Sequence, residues 1–346
     1  MRRSWWLACA ALVACGGGLP LLGTDAGSDG ASPDASVDSP ADVTANDAAA
    51  DAPVDAPVDA PPDAPPPYVN PKVHALATGQ DKPLALAIDS NVYWSTLGNG
   101  GQIFSCPAFS CTTPSLLASN QPNVTQLATS GQRLFWVTNG NLMACDTGGC
   151  GQNPIVMATN VVSSAVATNQ GQVVFANTSG LAACPVAGCG SGPTTLVAGG
   201  TYNGMDNLTL VYFTGGDALW SCPLSGCASP TLVAGQQLGA QTVWNDGEHI
   251  LWTNPTGGSI GYCASSDCKP APLIAQQAMP WGIKSFGNLA YWSNAGDGTI
   301  QMCDVTTVCT PTLIAAGQGS PKAIGVDMVA IYWANDAKGE IEQFIP

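Results

Sequence analysis

The residues with the most chemical potential in this chain are its cysteines. Among 346 residues there are 14 Cys, 2 His and only three Glu. Twelve of the Cys fall into six close pairs: Cys106/Cys111, Cys145/Cys150, Cys184/Cys189, Cys222/Cys227, Cys263/Cys268 and Cys303/Cys309. Four residues separate the members of five pairs, and five separate those of the sixth. Such spacing serves either a hairpin disulfide or half of a thiolate metal site. Other chemistry is scarce. His74 and His249 are isolated, and neither a Gly-x-Ser-x-Gly nucleophile turn nor a His-Glu-x-x-His zinc motif is present. Asp246-Gly247 and Gly296-Asp297-Gly298 lack the further alternating carboxylates of a calcium loop, and read as turns. The excess of 24 Asp+Glu over 9 Lys+Arg argues against nucleic acid, whose phosphates demand a basic face.

The elements that hold these cysteines repeat. From residue 68 onward, β-branched and aromatic residues alternate between Gly/Asn turns, and an apolar doublet recurs near the middle of each unit. The doublets are Tyr93-Trp94, Phe135-Trp136, Val174-Phe175, Tyr212-Phe213, Leu251-Trp252, Tyr291-Trp292 and Tyr332-Trp333. Their second members lie 42, 39, 38, 39, 40 and 41 residues apart, the length of a four-stranded propeller blade. In the first unit the strands read as 84–88, 92–95, 102–106 and 115–118, with Asp89-Ser90-Asn91 and Gly98-Asn99-Gly100-Gly101 as turns. No segment carries a 3.6-residue apolar period, so no helices are expected. The last unit has only three strands, and the segment from Val73 to Gly79 matches the missing fourth. The expectation is an all-β, seven-bladed β-propeller whose amino-terminal strand closes the last blade. Six blades is the alternative, with the weakest unit, 161–200, packing irregularly.

This phase decides between the two cysteine chemistries. Each pair falls where the third strand turns into the fourth, so its members are expected to face each other across a hairpin within disulfide reach. Structural zinc would need two pairs to converge, and pairs on the outer strands of different blades cannot. The seventh unit has no Cys pair because its last two strands come from opposite ends of the chain.

The amino terminus reads as an address. Arg2 and Arg3 precede a short apolar run, 5–14, too short to span a bilayer. Leu12-Val13-Ala14-Cys15 then resembles the lipobox of bacterial lipoproteins. The resemblance implies a signal peptide at 1–14, acylation of Cys15, and an exported protein. Gly16 rather than Asp follows Cys15, which in that family implies the outer membrane. Export supplies the oxidising compartment that disulfides need. Residues 15–67 then form a stalk with ten Asp, no Lys, no Arg and no aromatic residue, too polar to fold and extended by Pro and like charge. Of the net charge of −15, the stalk carries −10 and residues 68–346 carry −7.

Tyr93-Trp94-Ser95 with Gly101-Gln102-Ile103, Trp252-Thr253-Asn254 with Gly258-Ser259-Ile260, and Tyr291-Trp292-Ser293 with Gly298-Thr299-Ile300 resemble the YWTD and NHL-type extracellular propeller repeats. The Asp of YWTD is replaced here by Thr96, Asn254 and Asn294. The layout of lipobox, Asp/Ala/Pro stalk and Cys-bearing repeats is similar to that of surface lipoproteins of high-GC Gram-negative bacteria.

In such a ring the first strand of each blade lines a central channel, and ligands sit at its mouth. Aligning the units on their doublets places Leu84, Val124, Ser163, Asn203, Gln241, Trp281 and Lys322 there. Of these, Asn203, Gln241, Trp281 and Lys322 are the ligand-binding candidates. An exposed Trp among amides suits a sugar or peptide, the ring giving apolar area and the amides fixing orientation. The neighbouring loops add Asn120-Gln121, Asn160, Gln236-Gln237, Gln276-Gln277 and Gln318, which read either as part of that site or as ordinary polar loops. The expected function is a non-catalytic, monomeric binding or scaffolding propeller that takes a protein, peptide or glycan ligand, with no cofactor, anchored to membrane by its lipid. The alternative is a metal-dependent hydrolase or lyase similar to the SMP-30-type propeller lactonases. For that chemistry the aligned positions supply Asn203, Gln241 and Asp206 but no Glu.

Overall fold

The computed structural model describes residues 70–346, apart from residue 170 and residues 208–209. The signal at 1–14, Cys15 and the stalk to residue 67 lie outside the described residues.

The described chain is 28 strands in seven four-stranded antiparallel sheets, with no helix among the described residues. It opens with β1 (Val73–Ala77). Blade 1 is β2 (Pro83–Ile88), β3 (Asn91–Thr96), β4 (Gln102–Pro107) and β5 (Ser115–Ser119). Blade 2 is β6 (Leu127–Ser130), β7 (Arg133–Thr138), β8 (Asn141–Asp146) and β9 (Ile155–Thr159). Blade 3 is β10 (Val161–Thr168), β11 (Gln172–Asn177), β12 (Gly180–Pro185) and β13 (Thr194–Ala198). Blade 4 is β14 (Gly204–Asn207), β15 (Leu210–Thr214), β16 (Leu219–Pro223) and β17 (Thr231–Ala234). Blade 5 is β18 (Val243–Asn245), β19 (His249–Asn254), β20 (Ser259–Ala264) and β21 (Ala271–Ile274). Blade 6 is β22 (Pro280–Phe286), β23 (Leu289–Asn294), β24 (Thr299–Asp304) and β25 (Thr312–Ala315). Blade 7 is β26 (Pro321–Val326), β27 (Ile331–Asn335) and β28 (Glu340–Phe344), completed by β1.

The fold is therefore a seven-bladed β-propeller, closed by β1 against β28 with Val73 opposite Phe344 and Ala75 opposite Glu342. The strands of blade 1 match the sequence reading to within about a residue. The unit at 161–200 is a full blade, with one irregularity between Val161 and Val166.

The doublets explain the core. Successive strand residues point to opposite faces, so each doublet fills two inter-blade layers at once. Trp94 packs with Leu76 and Tyr332 toward blade 7, whereas Tyr93 packs with Leu127 and Trp136 toward blade 2. Trp94, Trp136, Trp252, Trp292 and Trp333 are fully buried. A buried indole N–H needs an acceptor. In all five cases it is a Gln carbonyl from the loop entering the blade. Trp94 donates to Gln80, Trp136 to Gln121, Trp252 to Gln237, Trp292 to Gln277 and Trp333 to Gln318, at 2.6–3.0 Å. Asn254, Asn294 and Asn335 donate to the same Gln oxygens at 2.9, 3.0 and 2.8 Å. Three blades thus carry a Trp–Gln–Asn staple.

Four of these Gln residues, Gln80, Gln121, Gln277 and Gln318, are anchored through the glycine of a Gly-x-Ile turn, and Gln237 through Asp217 O. Gln318 N donates to Gly298 O at 2.9 Å, and Gly298 has φ +68°. A Cβ there would lie 2.1 Å from Gln318 O. Gly298→Ala is therefore expected to lose on the order of 3 kcal/mol, from left-handed backbone and a clash with a fixed carbonyl. Gly287→Ala has φ +55° but open space, and should lose only about 1 kcal/mol. Urea melts of the pair check the difference, and equal losses would refute this account of the turn.

All six cysteine pairs are disulfides within single blades: Cys106–Cys111, Cys145–Cys150, Cys184–Cys189, Cys222–Cys227, Cys263–Cys268 and Cys303–Cys309. Their Cα–Cα distances lie between 4.8 and 5.9 Å. Their placement corrects the expected geometry in one respect, because the two cysteines do not face each other across paired strands. The first member of each pair lies near the end of the third strand. The second members, Cys111, Cys150, Cys189, Cys227, Cys268 and Cys309, stand in the turn before the fourth strand begins. The ladder stops one residue short of the first cysteine, at Ser105 opposite Ser115, Ala144 opposite Ile155 and Met302 opposite Thr312. With only four or five residues between them, the cysteines meet before the chain has reached the outer strand, so each bridge closes a turn. The second cysteines are also less buried than the first. Cys111, Cys150, Cys189 and Cys309 are half-buried, each packed on the edge of an apolar cluster. In blade 7, which lacks a pair, Asn70 precedes β1 and its Nδ2 donates to Ile314 O of blade 6 at 3.1 Å.

Candidate functional site

In four blades the residue after the doublet is a serine or threonine, Ser95, Thr214, Thr253 or Ser293, and it sets the channel wall. Ser293 Oγ accepts from Gly282 N in its own blade at 3.0 Å and donates to Lys322 O in the next at 2.6 Å. Thr253 likewise accepts from Thr242 N and donates to Trp281 O, and Thr214 accepts from Gly204 N and donates to Gln241 O. Each hydroxyl is buried, satisfies two strand-end groups, and pins the backbone of a mouth residue.

Four consecutive blades carry Asn203, Gln241, Trp281 and Lys322 to one end of the channel. Asn203, Gln241 and Trp281 share the lining of a cavity of about 120 Å³ with Leu84 and Gln126. Lys322 Nζ sits 4.3 Å over the Trp281 ring, so the ammonium covers one indole face. Asn203 Nδ2 donates to Ala240 O at 3.2 Å.

Two aligned positions fall elsewhere. Val124 keeps the backbone place, accepting from Ser95 Oγ, but its side chain is fully buried, and Thr125 and Gln126 line the channel instead. Ser163 lies outside that cavity, in an adjoining depression whose lining it shares with Asn203 and Gln241, and it donates to Tyr202 O. An extra residue before β6 and the irregularity in β10 shift both registers. Of the loop amides, Gln121, Gln237, Gln277 and Gln318 are consumed by the Trp staples. Asn120, Asn160, Gln236 and Gln276 hold positive φ at the turn before them.

Deeper in the channel lies a group that alignment at the strand starts misses. The residues opposite the first doublet members form one ring: Ala87, Ala128, Ala167, Asp206, Trp244, Lys284 and Gly325. Four blades contribute Ala or Gly, and three adjacent blades contribute an acid, an indole and an amine. Lys284 Nζ lies 3.5 Å over the Trp244 ring. Burial pulls its ammonium down to about 8, and the charge of Asp206 opposes that fall. Asp206 Oδ2 accepts from Asn245 N at 2.7 Å, and Trp244 Nε1 donates to Ser285 Oγ at 2.9 Å.

Ser285 leads to the far end of the channel, where its hydroxyl bonds Asp246 Oδ2. His249 Nδ1 is 3.1 Å from the same oxygen, and Asp246 Oδ1 accepts from Glu248 N and His249 N. The carboxylate stands between Ser and His, so the imidazole does not touch the hydroxyl and this is not a nucleophile triad. It is a turn clamp. Burial alone would raise the Asp246 carboxyl, but the hydrogen bonds from Ser285, His249 and Glu248 outweigh it and hold it below the usual range. A depressed carboxyl stabilises the fold above its unfolded pKa and loses that as pH falls through the folded value. Asp246→Asn is expected to lose about 1–3 kcal/mol at pH 7. The gap from wild type should close below pH 4 in denaturant melts. A gap unchanged at pH 3 would contradict the clamp.

Comparison with known proteins supports the fold class alone. No family model matches the chain, and no curated protein matches it. Solved structures match, and they are β-propellers. Virginiamycin B lyase from Staphylococcus aureus is 13% identical with TM-score 0.63, the match covering 79% of this chain and 98% of that one. A streptogramin B lyase is 12% identical with TM-score 0.63, covering 78% and 96%. The WD40 repeats of RRP9 are 11% identical with TM-score 0.63, covering 79% and 97%.

Proposed function

We propose that this protein is a lipid-anchored surface protein whose propeller is a binding module, with the channel mouth as its recognition site for a glycan or peptide. The observation that carries the reading is Trp281, half-buried at the mouth between Gln241 and Lys322, with amide groups of Asn203 and Gln126 on the same cavity. An indole face supplies apolar area, and amides and an ammonium orient polar groups. The lipobox at Cys15 would anchor the chain to an outer membrane, and the acidic stalk would act as a spacer.

A glycan and peptide array probed with wild type and Trp281→Ala tests the site. Hits should fall at least about tenfold in the variant, since a central aromatic anchor carries about 1.4 kcal/mol or more. Hits untouched by the substitution would move the site elsewhere. Cys15→Ser should release the protein from membranes, and continued association would refute the anchor.

The lyase alternative gains less support. A virginiamycin B lyase with one histidine replaced by alanine is catalytically inactive. Here His74 is exposed on β1 and His249 is clamped to Asp246 at the opposite end of the channel from Trp281.

A further inference from the structure

The arc of Asp206, Trp244 and Lys284 has a chemistry that mouth recognition does not use. We infer that Lys284 is a carbonyl-capturing amine, which holds small uncharged aldehydes in the channel as a reversible imine.

Access comes first. Lys284 lines the mouth-side cavity and also a second cavity of about 300 Å³ below it, so it stands at the waist between the two. The ring at its level leaves room, because Ala87, Ala128, Ala167 and Gly325 face it from the other four blades. Leu86, Leu127 and Ile324 line both cavities and give the space an apolar wall.

Electrostatics then selects the chemistry. Among the described residues lining these cavities, Asp206 on β14 and Lys284 on β22 are the charged ones. β2, β6, β10, β18 and β26 present no other titratable group to the cavities. The two charges compensate, so a free anion gains little from Lys284, and Trp244 already occupies the cation side of the amine. What remains is the lone pair of the neutral amine. With the ammonium pulled down to about 8, roughly a quarter of it is neutral at pH 7.5, against about 0.1% for an ordinary lysine.

The step balances without a redox partner. The Nζ lone pair adds to the carbonyl carbon, and the proton it sheds goes to the carbonyl oxygen, giving a carbinolamine. Loss of that hydroxyl with the second amine proton, as one water, leaves the C=N bond. Protonated, the imine carries one positive charge over Trp244 and beside Asp206, the same charge the ammonium carried. The cradle therefore suits the product as it suits the resting ammonium.

The test is reductive trapping with benzaldehyde and sodium cyanoborohydride on the full chain, read by peptide mapping. Lys284 should be modified at least about tenfold faster than exposed Lys269 at pH 7.5. Its rate should level off above pH 8. Both readings use the wild type, so they stand whether or not a variant folds. Lys284→Arg should remove that label and leave Lys269 unchanged. Trp281→Ala should keep it, which separates this inference from the mouth-binding reading. Modification of Lys284 at or below the rate of Lys269 overturns the proposal.

Discussion

Reduction of the six disulfides is expected to unfold the propeller in denaturant at which the oxidised protein is still native. Each bridge closes a loop of six or seven residues. Chain entropy gives roughly 2 kcal/mol for a loop of that size. Six such terms reach on the order of 10 kcal/mol, comparable to the whole stability of a typical domain at 5–15 kcal/mol. The bridges also serve more than their own turns. Cys227 N donates to Leu196 O at 2.8 Å, so the blade 4 turn is hydrogen-bonded to the outer strand of blade 3. Freeing the turn frees that inter-blade bond. The first cysteine of every pair is buried, so reductant has to be applied in denaturant and the chain then refolded. The measurement is a guanidinium melt with and without a phosphine reductant. A midpoint lower by about 1 M or more, or no folded baseline, is the expected outcome. Midpoints within about 0.2 M of each other would mean that the sheets alone hold the ring.

Much of this architecture is legible in the sequence because its signals are local. A doublet every 40 residues or so, a Gly-x-Ile turn and a Cys pair at one phase are short-range patterns, and together they fix blade number, strand order and ring closure. The cysteine spacing is enough to pair Cys106 with Cys111, but not to show that the ladder ends before them, which depends on where β5 begins. The structure adds the partners, which are not local. Gln80 and Trp94 are 14 residues apart, and the other four Gln–Trp pairs are 15 apart, across a loop and a strand. Nothing in the amide pairs says which member is consumed. Only the three-dimensional staple shows that the second accepts from Trp while the first supplies the left-handed turn. The waist escapes for another reason. Which side chains share a level depends on register, and bulges shift several blades by a residue near the strand starts. The arc of Asp206, Trp244 and Lys284 is nonetheless readable in hindsight. Each stands six or seven residues before the first member of its doublet, where the other blades have Ala or Gly.

Removing β1 is expected to break the ring as a unit instead of loosening one edge. The strand touches three neighbours. Val73 packs with Ile314 and Phe344 at the interface of blades 6 and 7, and Leu76 packs with Trp94 and Tyr332 at the interface of blades 7 and 1. Ala75 pairs with Glu342, whose buried carboxylate accepts from Trp333 Nε1 at 2.7 Å and from Asn335 Nδ2 at 3.2 Å, with Lys338 Nζ at 3.3 Å. Just beyond the strand, Gln80 holds the indole of Trp94 and bonds Gly339 O. Deleting Val73–Ala77 therefore removes a buried Leu, bares a buried charge network to water and detaches one Trp staple. Loss of the Leu alone is worth about 2–5 kcal/mol, and the midpoint of thermal unfolding should fall by on the order of 10 °C. The freed edge of β28 would also offer unpaired backbone groups to other copies, so light scattering should show oligomers. A circular permutant separates strand loss from chain breakage. Val73 lies opposite Phe344, and Ile345 N donates to Lys72 O, so a short Gly/Ser turn from Pro346 to Asn70 is geometrically ready. With new ends opened inside the Cys263–Cys268 turn, which the disulfide still spans, the permutant should melt within a few degrees of wild type. A deletion variant that stays monomeric with an unchanged melting temperature would show that the ring does not depend on closure by β1.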